Sequence, residues 1–172
     1  MHPDKLRDAA RKFASGVTVA TAAHSGLIYA MTATAFSTLS MDPPLVLLGV
    51  KNSGKLLELA RRAQHFGVSV LNDGQHAIGQ WAAISGRVPE RDLTISETIR
   101  ARTGAPLLAG SAAWFDCELR SLAEHGDHTV LVGLVVDAWA DAPAQPLVYF
   151  EGGYHALGKR LAEGGVTDIK NL

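Results

Sequence analysis

The sequence predicts a mainly antiparallel β-barrel with short helices at its ends. Three observations predict it. β-rich segments follow one another directly, as residues 17–23 and 27–31 do with only His24-Ser25-Gly26 between them. Two long β-rich runs, residues 112–122 and 129–140, are joined by a short polar stretch at hairpin spacing. Finally, the helical segments are too few to give every parallel strand pair the crossover helix it needs.

Residues 4–14 open the chain as a helix, with Leu6, Ala9, Ala10 and Phe13 on one face, Pro3 near the start and Gly16 at the end. Residues 17–23 alternate Val17 and Val19 with Thr18 and Thr21, which is strand spacing, and residues 27–31 return as a hairpin. Pro43-Pro44 cannot sit inside a helix, and the apolar run 45–50 that follows is a strand. Ser53 is placed to cap a helix over 54–63, with Leu56, Leu59 and Ala60 facing inward. Residues 66–71 make another strand. Asn72 or Asp73 then caps a helix carrying Ile78, Trp81 and Ala82. Thr94-Ile95-Ser96-Glu97 fits a capping box and predicts a short helix through Arg102. After the long hairpin, residues 147–150 form a last strand. The expected total is about seven strands and four short helices, in a single domain over residues 1–172.

Composition narrows the function classes. Apolar residues make up 47% of the 172, enough for a full core. No apolar run approaches the ~18 residues that cross a bilayer, and the charged N-terminus lacks a signal peptide's apolar stretch, so a soluble cytoplasmic protein is expected. Sixteen basic residues against seventeen acidic ones, with no basic block, disfavour nucleic acid and membrane surfaces as partners. Cys117 is the only cysteine, so there is neither a disulfide framework nor a C-x-x-C pair. Its apolar surroundings predict a buried, unreactive thiol.

Four polar segments interrupt this pattern. Met31-Thr32-Ala33-Thr34-Ala35-Phe36-Ser37-Thr38-Leu39-Ser40 combines hydroxyls with small side chains. Such a stretch leaves its backbone open to a phosphate or the edge of a planar ring, although a polar β-edge or turn is the commoner outcome. Gly49-Val50-Lys51-Asn52-Ser53-Gly54-Lys55-Leu56 matches G-x-x-x-x-G-K, but Leu56 stands where a P-loop needs Ser or Thr for Mg²⁺. The neighbouring hairpins also rule against a nucleotide triphosphatase. What survives is a helix start with two lysines that favours an anion, or else a plain capped helix with solvated lysines. Glu124-His125-Gly126-Asp127-His128 lies too close in sequence for its side chains to converge on one ion, so no metal site is expected. It is either a solvent-facing turn or a turn that aims a histidine at a charged cofactor. Phe150-Glu151-Gly152-Gly153-Tyr154-His155 allows close backbone approach at its glycines, with Tyr154 an ordinary core-edge aromatic on its own evidence. No G-x-S-x-G turn or paired-carboxylate site is present, which leaves binding, or chemistry supplied by a bound cofactor.

Taken in order, these segments resemble the flavin reductase family of the FMN-binding split barrel, the reductase components of two-component flavin monooxygenases. The resemblance rests on Lys12-Phe13-Ala14-Ser15-Gly16-Val17-Thr18-Val19, Met31-Thr32-Ala33-Thr34-Ala35-Phe36, Ser40-Met41-Asp42-Pro43-Pro44-Leu45-Val46, Phe66-Gly67-Val68-Ser69-Val70-Leu71 and Gly126-Asp127-His128-Thr129. It ends with Leu147-Val148-Tyr149-Phe150 leading into Gly153-Tyr154-His155, and covers nearly the whole chain before Gly158. The resemblance implies a six-stranded antiparallel Greek-key split barrel with short flanking helices, and a homodimer with flavin near the dimer interface. It implies reduction of FMN or FAD by NADH or NADPH, with reduced flavin passed to a monooxygenase component. Met31 to Thr38 would follow the flavin ring and ribityl chain, and Lys51, Asn52, Ser53, Gly54 and Lys55 its phosphate. His128 would position the nicotinamide, and the stretch holding Tyr154 would close over the site.

Three departures stand out. Thr34 occupies a position where the family more often has Asn or Ser. Ala83-Ile84-Ser85 replaces a region where an aromatic often meets the flavin, with Trp81 as a nearby substitute, and the run after that helix is reduced to Glu90-Arg91-Asp92-Leu93. The alternative is a flavin-binding electron carrier on the same barrel without turnover.

Overall fold

A computed structural model describes residues 2–140 and 144–159. Its elements are α1 (Pro3–Ala10), β1 (Ser15–Gly16), β2 (Thr18–His24), β3 (Leu27–Ala33), β4 (Phe36–Met41), β5 (Pro44–Lys51), α2 (Lys55–Ala63) and β6 (His65–Val70). A 3-10 turn (Asp73–Gln75), α3 (His76–Ala82), β7 (Thr98–Arg100), β8 (Pro106–Leu108), β9 (Ala113–His125), β10 (His128–Ala140), β11 (Leu147–Phe150) and β12 (Gly153–Ala156) complete it.

Seven strands form the main sheet in the order β3-β2-β6-β9-β10-β5-β4, and every pair is antiparallel. The mainly β class is as the sequence predicts. The count is seven rather than six, because the hydroxyl-rich stretch read as an edge or turn pairs with β5 as β4.

Chain connectivity forces this sheet to curl. β3 and β4 lie at opposite ends of the strand order, yet only Thr34 and Ala35 separate them in sequence. Flat, the two edges would stand about 29 Å apart, at ~4.8 Å per strand spacing. Three trans peptide steps reach only about 11 Å. The sheet must therefore curl, and β3 does come into contact with β5 near the far edge, where the Gly49 N–H on β5 extends the β4–β5 ladder by donating to the Ala35 carbonyl at 2.8 Å.

The strand interiors alternate as a half-buried barrel requires. Along β5, Val46, Leu48 and Val50 are buried between more exposed neighbours. With Phe66, Val68, Leu131 and Cys117 they form the main core. Helix α2 closes one end of it with Leu56, Leu57, Leu59 and Ala60, each full burial stabilising by about 1.5–3 kcal/mol for the leucines. A second core gathers Val17, Val19, Ile28, Leu71, Leu108 and Leu147, with Ile78, Trp81 and Tyr154 packed on it.

Several expectations need correction. The opening helix stops at Ala10, short of residue 14, and buries none of its residues, and Phe13 beyond it is 79% exposed. Ser53 does not cap α2: Gly54 is the N-cap and makes no side-chain bond. Residues 94–102 hold no helix. Tertiary pairing overrides the capping-box signal, because Thr98–Arg100 pairs with Pro106–Leu108 and the Glu97 carbonyl accepts from Ala109 N–H at 2.9 Å. The predicted last strand gains a partner, β12. The start of α3 follows expectation, with Asn72 and Gln75 forming a reciprocal capping box on the preceding 3-10 turn.

Candidate functional site

The two-residue crossover from β3 to β4 is the centre of the candidate site. Thr34 and Ala35 are exposed, and their approach to β5 is close. A Cβ added to Gly49 would stand 3.1 Å from the Ala35 Cβ, so the glycine lets the strands meet. Ala33 is buried, and its carbonyl accepts from the Thr18 hydroxyl at 2.7 Å. Met31 is half-buried against the main core, and Phe36 packs on Phe115 with ring centroids 5.3 Å apart. Ser37 and Thr38 are exposed, the Ser37 hydroxyl donating to the Thr38 carbonyl at 3.0 Å. Because β4 pairs only with β5 in the sheet, its outer edge presents backbone donors and acceptors.

Register sets the lysine turn beside this crossover. Phe36 pairs with Leu48, so β5 continues past Ala35 to Lys51 within three residues. The turn is closed by Gly54 N–H donating to the Lys51 carbonyl at 2.9 Å. Asn52 then anchors it to the β9–β10 hairpin. Its Nδ2 donates to Glu124 Oε1 at 3.1 Å and to the Gly126 carbonyl at 3.0 Å, while its Oδ1 accepts from the fully buried Thr129 hydroxyl at 2.8 Å. The Asn52 N–H also donates to the Asp127 carbonyl at 3.0 Å. Its side-chain hydrogen-bonding capacity is largely spent within the protein, which makes it a strut for the turn.

The cations of the turn differ in their freedom. Lys55 pairs with Glu58 at 3.2 Å, and Arg62 pairs with the same carboxylate at 3.1 Å. The bond from Lys55 is the main reason that Glu58 is held below the usual carboxylate range. Lys51 makes no ion pair among the described residues. A cleft of about 370 Å³ lies alongside, lined by Asn52, Ser53, Gly54, Leu57, Glu58, Arg61 and Arg62. No residue of the stretch from Met31 to Thr38 lines that cleft.

His128 stands directly across the ladder from Lys51. It is exposed, and its Nδ1 lies 2.7 Å from Asp127 Oδ1. Hydrogen bonding to His128 is the first cause holding the Asp127 carboxyl below its ordinary range. The hairpin turn itself is two residues, Gly126-Asp127, tighter than the 123–128 link expected.

On the other side of the crossover, α3 docks on the end of β3. The Thr32 hydroxyl donates to the Gly79 carbonyl at 2.6 Å. Tyr154 lies over the same glycine, its Cε1 and hydroxyl oxygen each 3.5 Å from where a Gly79 Cβ would stand, and meets Tyr149 edge-on at 5.6 Å. Burial pushes the Tyr154 hydroxyl up from its ordinary value. Trp81 is half-buried, with the Arg87 guanidinium 3.9 Å from its ring centroid.

The predicted residues fall in two groups that adjoin the crossover: Lys51 to Lys55 and His128 through the β5 ladder, and Trp81 and Tyr154 through Gly79 and Thr32. Neither the cleft beside the turn nor the larger one at His65 is lined by residues of both groups. Arg87 was not among the predicted residues. Nothing in the local sequence marks it, since its partners lie at Tyr29, Ala30 and Trp81. A separate cleft of about 700 Å³, lined by Gln64, His65, Arg102, Thr103, Glu118, Leu119, Val135 and Val136, contains none of the predicted residues. Cys117 is buried as expected, and loss of solvation pushes its thiol up to about 12.

Residues 10–158 match the sequence model of a family described as the flavin reductase like domain. The reductase component of 4-hydroxyphenylacetate 3-monooxygenase from Thermus thermophilus is 38% identical over 90% of this chain and 96% of its own length. The NADH-dependent flavin reductase StyB of Pseudomonas fluorescens is 37% identical over 87% of each chain. Among solved structures, the flavin reductase component BorF of a bacterial two-component tryptophan halogenase superposes with a TM-score of 0.84 at 36% identity, covering 92% of this chain and all of its own. The styrene monooxygenase flavin reductase from Pseudomonas putida superposes with a TM-score of 0.82 at 31% identity, covering 91% and 99%.

Proposed function

The chain belongs to the flavin reductase like domain family, and from that premise we propose that it passes a hydride from NADH to FMN or FAD at a site along the β3–β4 crossover. One observation carries the reading. The open-edged, small-residue stretch and the lysine turn lie at the same end of β5, joined at Gly49 and Ala35.

The residues present fit such a ligand. The outer edge of β4 and the exposed Thr34, Ala35, Ser37 and Thr38 offer donors and little steric bulk to the edge of a planar ring. Lys51, without a carboxylate partner among the described residues, and the start of α2 offer positive charge to a phosphate. Trp81 and Tyr154 supply aromatic surface beside the ring. When bound, the flavin would supply the redox chemistry, as the acceptor of the nicotinamide's hydride. The chain's own work would be to hold the reactants in stacking geometry, with backbone N–H groups near Ala33 to Phe36 as the candidates to stabilise the negative charge that would develop on the ring. No side chain needs to move a proton in that step. This agrees with a site whose histidine is exposed and paired to Asp127 rather than aimed by a buried base. His128 positions the nicotinamide, and we expect His128→Ala to weaken NADH use in steady-state kinetics while the flavin Kd holds. Equal loss of both would contradict that role.

A monooxygenase component as the recipient of reduced flavin belongs to the same proposal, supported by the names of the relatives above. So does a homodimer, supported by large apolar side chains left open on this chain, such as Phe13 and Met41 at 79% and 86% exposure.

Anaerobic mixing of the purified protein with FMN or FAD and then NADH tests the reading. Catalytic amounts should bleach the oxidised-flavin band of many equivalents of flavin. Bleaching that stops at one equivalent would indicate an electron carrier, and no bleaching would reject the assignment.

A further inference from the structure

We propose that Arg87 is a positioning residue that sets the ring side of the flavin site, acting through Trp81 and helix α3; this rests on the flavin reading above. Arg87 lies on the link after α3, yet its side chain is only 11% exposed. Its guanidinium carbon sits 3.9 Å from the Trp81 ring centroid and 5.2 Å from that of Tyr29. Nη2 donates to the Ala30 carbonyl on β3 and, at 3.3 Å, to the Ala82 carbonyl at the end of α3. Nη1 lies 3.9 Å from Glu90 Oε1. Glu90 is itself bridged to β3, since Glu90 N–H donates to the Ile28 carbonyl at 2.8 Å and Ile28 N–H donates to the Glu90 carbonyl at 2.6 Å.

One planar cation therefore joins β3 to α3, using two rings, two carbonyls and one distant carboxylate. A lysine could not do the same, because it lacks both the fork and the flat face. Hiding a charge this well costs desolvation energy that a carboxylate at 3.9 Å does not offset alone, so the rings and carbonyls carry much of the compensation. Nε remains buried without a partner, a cost that the arrangement tolerates. The Ala82 carbonyl is one of the last in α3, where a cation is favoured. The Thr32–Gly79 bond crosses the same joint. Removing Arg87 frees the indole of Trp81 and loosens α3 against β3. It leaves the lysine turn untouched, since no contact of Arg87 reaches it.

The consequence is specific. Loss of Arg87 should weaken binding of the isoalloxazine ring whether or not a phosphate is attached. The test is equilibrium titration of the flavin-free protein with riboflavin and with FMN, read by flavin fluorescence. Arg87→Met should raise both Kd values about tenfold, and Arg87→Lys should restore only part of the loss. Trp81→Ala should lose a similar amount, and the double variant little more than Trp81→Ala alone, because the two residues act through one contact. A folded Arg87→Met with unchanged Kd values and a lower Tm would make Arg87 structural only and overturn the proposal. So would additive losses in the double variant, or a loss confined to FMN. If circular dichroism shows Arg87→Met unfolded, Arg87→Lys carries the test by the same criteria. Failure of the wild-type protein to bind either flavin would instead overturn the flavin reading itself.

Discussion

The two flanks of the crossover are held by opposite kinds of force. The lysine turn stands on polar bonds: Asn52 ties it to the exposed Glu124, to the Gly126 carbonyl and to the buried Thr129, while Lys51, Ser53 and Lys55 stay open to solvent. The α3 flank stands on packing: Trp81, Tyr154, Tyr149 and Ile78 press on the second core, with Arg87 and Thr32 pinning the joint. Under the proposed flavin reading, the difference teaches a division of labour. A flexible, strongly hydrated phosphate suits an electrostatic flank that water can reach, whereas a rigid ring suits an aromatic flank whose shape is fixed by close packing.

The largest effect should fall on the polar flank. Asn52→Ala strips the acceptor from the fully buried Thr129 hydroxyl and both anchors from the hairpin. We expect a stability loss of about 2–3 kcal/mol in urea denaturation, larger than for any single exposed ion pair nearby. A loss below about 0.5 kcal/mol would mean that Asn52 is free for ligand after all. On the packed flank, Thr32→Val removes one donor, while the Gly79 carbonyl keeps its bond from Ala83 N–H at 3.2 Å. About 1 kcal/mol should be lost, and riboflavin should bind more weakly. Unchanged riboflavin affinity would detach the β3–α3 joint from the ring site.

A smaller effect belongs to neither flank and serves as their control. Burial, against the opposing influence of Asp116, lowers the pKa of His65 beside the separate cleft from its ordinary 6.5. Below that value the unfolded chain takes up a proton that the folded chain resists, so stability falls as pH drops from about 6.5 toward the lowered value and is not regained below it. His65→Gln should flatten this slope between pH 7 and 5 in thermal melts, with flavin Kd at pH 7.5 unchanged. A changed flavin Kd would connect the cleft to the site.

Much of the fold was legible because its signals are local. The turn His24-Ser25-Gly26 and the alternation around it announce the first hairpin, and Ser25 and Gly26 take the left-handed backbone such a turn needs, at φ 52° and 76°. The failures have one cause. The Thr94–Glu97 pattern looks helical alone, but pairing with Pro106–Leu108 decides its structure. The apolar face of α1 looks like a buried face, but nothing among the described residues buries it. The site divides in the same way. The lysine turn is contiguous and visible as a motif. The α3 flank is assembled from Thr32, Trp81, Arg87 and Tyr154, residues whose neighbourhood only the folded chain creates.

The most direct test of a shared site compares riboflavin with FMN in the wild-type protein and in Lys51→Ala. The account predicts that wild type binds FMN more tightly, and that Lys51→Ala raises the FMN Kd about tenfold while leaving riboflavin unchanged. A riboflavin Kd that rises in step with that of FMN, or an FMN Kd that does not move, would contradict it.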